Sequence, residues 1–168
     1  MRRLWAPWRV GYVTGPKEPG CIFCQAPAQG DDRAALILYR DALGYLILNR
    51  YPYNSGHLMA VPFRHVARPE ALSPEEGGAL MRLVGVAVRV LEQAMAPDGF
   101  NVGMNLGRAA GAGIDDHLHI HVVPRWTGDT NYMPVLGDVK VLPQSLEDTY
   151  GHLAAALAAL GPQPASGP

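Results

Sequence analysis

A chain of 168 residues that is 48% hydrophobic is long enough to bury one hydrophobic core, and one domain is expected. Lys plus Arg number 14 against 15 Asp plus Glu, so the positive field that a nucleic-acid backbone demands is missing, and small ligands are expected rather than nucleic acid. Arg, Gly, Pro or Asp interrupts each apolar run before it reaches the ~18 residues that span a bilayer, and Trp5-Ala6-Pro7-Trp8-Arg9 stands where a secretory signal needs apolar continuity, so a soluble, cytoplasmic protein without membrane contact is expected.

Residues 1–34 are rich in Gly, Pro and aromatics without a sustained period, and read as an irregular arm. The two cysteines, Cys21 and Cys24, lie in that arm. A disulfide framework uses more cysteines at wider spacings, so the pair suits a metal or redox chemistry. A redox pair opens a helix after a strand, whereas Gly15-Pro16-Lys17-Glu18-Pro19-Gly20 precedes this one, and a metal knuckle in a loop fits better.

Ala35–Tyr39 and Tyr45–Leu48 predict two strands joined by a tight turn, and His57–Pro62 a third after a turn-rich stretch. Ser73-Pro74-Glu75-Glu76 combines a capping Ser, a first-turn Pro and a Glu three residues after the cap, so a helix is predicted from there to about Ala96. Leu80, Leu83, Val84, Ala87, Val90, Leu91 and Ala94 give it one apolar stripe to lay on a sheet. Phe100–Leu106 and His117–Pro124 predict two further strands, separated by the Gly/Ala-rich stretch Gly107–Gly113. A second helix is predicted over Leu146–Leu160, and the Gly- and Pro-rich residues 161–168 form a flexible tail. The expected class is α+β: an antiparallel sheet of about five strands with a long helix packed on it and a C-terminal helix, in one domain over 1–160.

Three of the six histidines, His117, His119 and His121, fall within five residues. On a strand their side chains share one face, with Leu118, Ile120 and Val122 opposite. A half-buried strand with incidental outward polar residues explains one histidine and not three. Two functions remain open on the residues alone. The imidazoles can hold a catalytic zinc with an open position for water. Alternatively, one neutral imidazole attacks phosphorus, and its neighbours fix its tautomer and hold phosphate oxygens.

Beyond the triad His117–Trp126, the chain carries Asn49 with Pro52, then Gly56-His57, Met59 and Pro62. With these motifs it resembles the histidine-triad superfamily from Trp5 to about Pro134. The resemblance implies that His119 is the nucleophile that becomes nucleotidylated, that His121 lies against the α-phosphate and leaving oxygen, and that His57 supports the triad. It also implies that Asn49 binds ribose and that Asn105 contacts phosphate. Loop amides near Gly111 and Gly113 are further phosphate donors by position. Zinc-containing members use a Cys-x-x-Cys, a histidine after the third strand and the first triad histidine. The counterparts here are Cys21, Cys24, His65 and His117, a closed and therefore structural set.

Dinucleoside polyphosphate hydrolases of the superfamily carry a glutamine just before the triad, where this chain has Gly111-Ala112-Gly113. The stretch Pro124–Pro134 and the Trp5–Arg9 opening look most like bacterial diadenosine tetraphosphate phosphorylases. That resemblance implies phosphorolysis to ADP and ATP, an adenosine polyphosphate substrate, inorganic phosphate as acceptor and a homodimer. A dinucleoside polyphosphate hydrolase, a nucleoside phosphoramidate hydrolase and a nucleotide-binding regulator are the alternatives.

Overall fold

The computed structural model describes residues 20–110, 116–129 and 144–161. From residue 20 on it corrects the expected irregular arm, of which residues 1–19 lie outside the described residues. Cys21 caps a helical turn, α1 (Ile22–Gln25), a 3-10 turn follows over Ala26–Ala28, and α2 covers Asp32–Ala35. The Cys-x-x-Cys therefore sits at the head of a turn and not in an open loop. Turns this short are held by tertiary contact rather than by their own cooperativity. Phe23 is buried, and its carbonyl accepts the Tyr45 hydroxyl at 2.6 Å. The Asp31 side chain caps α2, and Leu36 ends it in the left-handed region at φ 63°, turning the chain into the sheet.

The sheet follows the expected order of elements. Strands β1 (Ile37–Arg40), β2 (Gly44–Leu48), β3 (Leu58–Pro62), β4 (Gly99–Gly103) and β5 (Ile120–Arg125) are all antiparallel, in the spatial order β1-β2-β3-β5-β4. The first strand starts two residues later than Ala35, because Ala35 and Leu36 are spent ending α2. β4 stops at Gly103 rather than Leu106, opposite His121. β5 begins at Ile120 rather than His117: the Leu118 N–H donates to the Val66 carbonyl at 2.6 Å, so His117, Leu118 and His119 form a lead-in anchored to the segment after β3.

Helix α3 (Pro74–Met95) starts with the full capping box, the Ser73 side chain accepting from the Glu76 N–H and the Glu76 carboxylate from the Ser73 N–H. The predicted stripe is buried from Leu80 to Leu91, and Ala94 is half-buried. Close packing demands Gly44, since a Cβ there would sit 2.6 Å from the Val61 carbonyl oxygen and 3.0 Å from Leu83. Gly56 is required twice over, by φ +84° and by Leu91 and Met95, each 2.8 Å from where a Cβ would lie. Helix α4 (Leu146–Ala159) packs on α3 and β1, and the Tyr150 hydroxyl donates to the Ile37 carbonyl at 3.0 Å.

Strand pairing places Leu58, Ala60, Ile120 and Val122 on the face under α3, all buried. His121, opposite Met59 on one side and Gly103 on the other, points to the opposite face. No helix among the described residues is long and apolar enough to cross a membrane. The expected tail beyond Gly161 lies outside the described residues.

Candidate active site and metal centre

Four histidines converge where β3 and β5 begin, and the hydrogen bonds around them fix where each proton sits. The Tyr53 N–H donates to His57 Nδ1 at 3.2 Å, so His57 carries its own proton on Nε2. That nitrogen lies 2.9 Å from His121 Nδ1. His57 therefore donates, His121 accepts, and the His121 proton is held on Nε2. His119 Nδ1 lies 2.9 Å from the His117 carbonyl oxygen, which can only accept. His119 thus keeps its proton on Nδ1 and an open lone pair on Nε2, the form a nucleophile requires.

Burial keeps these rings neutral. It pushes His57 down to about 3, with charge repulsion from His121 and His119 adding, and His121 down to about 4, with His119 adding. His119 is also lowered by burial, against the opposing pull of its bond to the His117 carbonyl. Phe23 packs on His119 with ring centroids 4.9 Å apart, and Tyr53 on His57 at 4.7 Å. Because the unfolded value is 6.5, unfolding takes up protons at His57 and His121, and their contribution to stability is present above pH 6.5 and lost as pH falls towards about 4 and then about 3. The expected result is a melting temperature that drops between about pH 6.5 and 5, above the range where carboxylates titrate. Thermal denaturation across a pH series checks this, and a flat profile there would mean that the rings are charged in the fold.

The metal-ligating side chains meet beside the first triad histidine. His117 Nε2–H donates to the Pro62 carbonyl at 3.0 Å, which turns the Nδ1 lone pair towards Cys21 Sγ at 3.2 Å and Cys24 Sγ at 3.5 Å. His65 Nδ1 lies 3.4 Å from Cys24 Sγ, and the four ligand atoms are all within 4.8 Å of one another. A tetrahedral zinc with ordinary bond lengths separates its sulfur and nitrogen ligands by about 3.5 Å. Cys21, Cys24, His65 and His117 thus form a group that can bind zinc. His65 is carried by the segment after β3, which Arg64 ties to α3 through two bonds to the Glu76 carboxylate, at 2.7 and 2.6 Å. The guanidinium holds the Glu76 carboxyl down to about 2.

On the other side of His121, a cleft of about 370 Å³ opens along β4 and β5, lined among others by Tyr53, Asn101, Asn105, Val123 and Arg125. Asn105 lines this cleft, its amide 3.5 Å from His121 Nε2. Asn49 does not line this cleft. It ends β2 on the far side of His57, where its side-chain oxygen accepts the Tyr51 N–H at 2.9 Å in a local turn. Gly111 and Gly113 lie outside the described residues. Sequence reasoning missed Phe23, Tyr53 and Arg125, the first beside the metal motif, the second in the turn before His57 and the third directly after the triad strand.

The HIT domain family model matches residues 32–128, more than half of the chain. The chain belongs to the histidine-triad family. This HIT protein is 43% identical over 163 residues to the AP-4-A phosphorylase of Mycobacterium tuberculosis, covering 92% of this chain and 83% of that one. It is 32% identical to the adenosine 5'-monophosphoramidase hnt1 of Schizosaccharomyces pombe, over 62% of this chain and 74% of that one. Among solved structures, a Zn-bound histidine triad family protein from Mycobacterium smegmatis superposes with a TM-score of 0.68 at 26% identity, covering 84% of this chain and 95% of that one.

Proposed function

We propose that this chain cleaves diadenosine tetraphosphate by phosphorolysis, giving ADP and ATP through a covalent adenylyl-His119. The observation that carries the reading is the proton placement: a buried, neutral His119 with its lone pair on Nε2 stands beside a His121 whose Nε2–H is aimed at the Asn105 amide and the cleft. Likeness to the phosphorylase of M. tuberculosis supports the substrate and the acceptor.

His119 Nε2 attacks the α-phosphorus of one adenosine half. The bond from that phosphorus to the bridging oxygen breaks, and its electron pair leaves on ATP. His121 Nε2–H donates to the charge developing on the departing oxygen without giving up its proton. The Nδ1–H of the adenylylated imidazole stays on the His117 carbonyl, which stabilises the positive ring. An oxygen of hydrogen phosphate then attacks the same phosphorus, the P–N bond breaks, and its electron pair returns to Nε2. ADP leaves, and the proton of the incoming phosphate passes to solvent.

The acceptor separates a phosphorylase from the hydrolases of the family. With diadenosine tetraphosphate the expected products over a phosphate series are ADP and ATP, measured chromatographically. If AMP dominates at millimolar phosphate, water is the acceptor and the hydrolase reading stands.

Zinc at Cys21, Cys24, His65 and His117 is proposed as structural. Among the described residues this is the group that clusters metal-ligating side chains, and His119 and His121 are not in it, which speaks against a zinc hydrolase built on the triad. A homodimer across the β4 edge is supported by Val102, Met104 and Leu106, large apolar side chains exposed on and just after that strand. Light scattering should give the mass of two chains, and a concentration-independent monomer would remove this part of the reading.

A further inference from the structure

The two halves of a dinucleoside substrate need two places, and the fold offers them on opposite sides of the histidines. Asn49, at the end of β2, lies on the β2–β3 side of His57. The cleft along β4 and β5 lies on the other side, with His121 between. A group leaving the phosphorus attacked by His119 and passing His121 enters that cleft.

We propose that this cleft receives the nucleoside of the departing ATP, with Arg125 and Tyr53 as the flat groups that hold its purine ring. The inference rests on the phosphorolytic reading of His119. Its volume of about 370 Å³ falls within the usual range for small-ligand sites. Its lining suits a nucleoside better than bare phosphates. Val123 is apolar, Asn101 and Asn105 are amides, and Tyr53 is aromatic and half exposed.

Arg125 is the charged member, yet its charge is already met. Nε and Nη2 donate to the Asp129 carboxylate at 2.5 and 2.8 Å, and Nη1 donates to Asn101 Oδ1 at 2.6 Å. Asp129 is held in turn by the Asn54 amide at 2.9 Å. A guanidinium neutralised in this way attracts phosphate weakly and still offers a planar face to an aromatic ring. Its side chain remains 44% exposed although three of its nitrogens are bonded. It is pre-ordered and accessible, so little rotamer freedom is lost when a base stacks on it.

The test compares diadenosine tetraphosphate with adenosine 5'-phosphoramidate, which has no second nucleoside, and uses Arg125→Ala, Arg125→Lys and Asp129→Asn. Expected for Arg125→Ala is a KM for diadenosine tetraphosphate raised about tenfold against that for the phosphoramidate, together with about tenfold weaker ATP inhibition. Arg125→Lys should not restore either value, because the ammonium has charge without a plane. Asp129→Asn removes the carboxylate that neutralises and orders the guanidinium, and should raise the same ratio of KM values by less than Arg125→Ala does. Recovery by Lys, or a changed KM for inorganic phosphate instead, would make the group a phosphate binder and overturn the nucleoside assignment. Equal loss of melting temperature in Arg125→Ala and Asp129→Asn, with both substrates affected alike, would make Arg125 a strut for the turn and also overturn it. Turnover of the phosphoramidate without phosphorolysis of the tetraphosphate in the unaltered protein would remove the phosphorylase reading. ATP inhibition of phosphoramidate turnover in wild type and Arg125→Ala then still decides the cleft.

Discussion

His119→Ala is expected to lower turnover of diadenosine tetraphosphate by about 10³-fold or more while leaving AMP binding within a fewfold of normal. The asymmetry follows from what the ring does. In the proposed mechanism its Nε2 lone pair forms the bond to phosphorus, whereas His121, Asn105 and Asn49, which the family resemblance implies hold the nucleotide, remain in place. The lost imidazole is 6% exposed and packs on Phe23, so the variant also loses some stability. Activity must therefore be read at a temperature where circular dichroism shows the variant folded. Denaturing mass spectrometry of the unaltered protein after rapid quench into base should find one adenylyl group on His119, a phosphoramidate that acid then removes. Near-normal turnover in the variant, or an adduct on another residue, would overturn the assignment.

How much of this was legible beforehand depends on the range over which each feature is encoded. The triad was legible because three histidines at a two-residue spacing are a local signal, and α3 because a capping box and an apolar stripe are local too. The metal group joins positions 21, 24, 65 and 117 and was reached only through a family resemblance, since nothing in a single chain ties Cys21 to His117. The extent of β5 was misread because alternation alone does not say which N–H groups have a ladder partner. Leu118 gives its N–H to Val66, in the segment after β3 that itself carries no strand signal. Leu36 was illegible for the opposite reason: its left-handed conformation runs against the preference of a Leu, and tertiary packing imposes it. The Arg125 platform depends on strand register. Arg125 reaches Asn101 only because β5 pairs with β4 so that Gly99 faces Arg125 and Asn101 faces Val123.

Removing the metal is expected to cost fold and chemistry together. Protein purified without chelator should contain about one zinc per chain, and stripping it should lower the melting temperature by about 10 °C or more, since binding at a site that exists only in the folded chain adds to folding free energy. The loss reaches the nucleophile through one residue. His117 offers Nδ1 to the two cysteines, gives Nε2–H to the Pro62 carbonyl, and lends its own carbonyl to His119 Nδ1–H. Once the ring of His117 is released from the cysteines, the carbonyl that fixes the His119 tautomer is no longer held from that side. Cys24→Ser should therefore lower kcat for diadenosine tetraphosphate by about tenfold or more while KM changes little. His65→Ala should do the same, because it removes a ligand without touching the lead-in to β5. A metal-free protein with an unchanged melting temperature would leave Cys21 and Cys24 as ordinary thiols. Zinc retained in Cys24→Ser but lost in His119→Ala would move the ion to the triad, and with it the reaction from covalent transfer to metal-assisted hydrolysis.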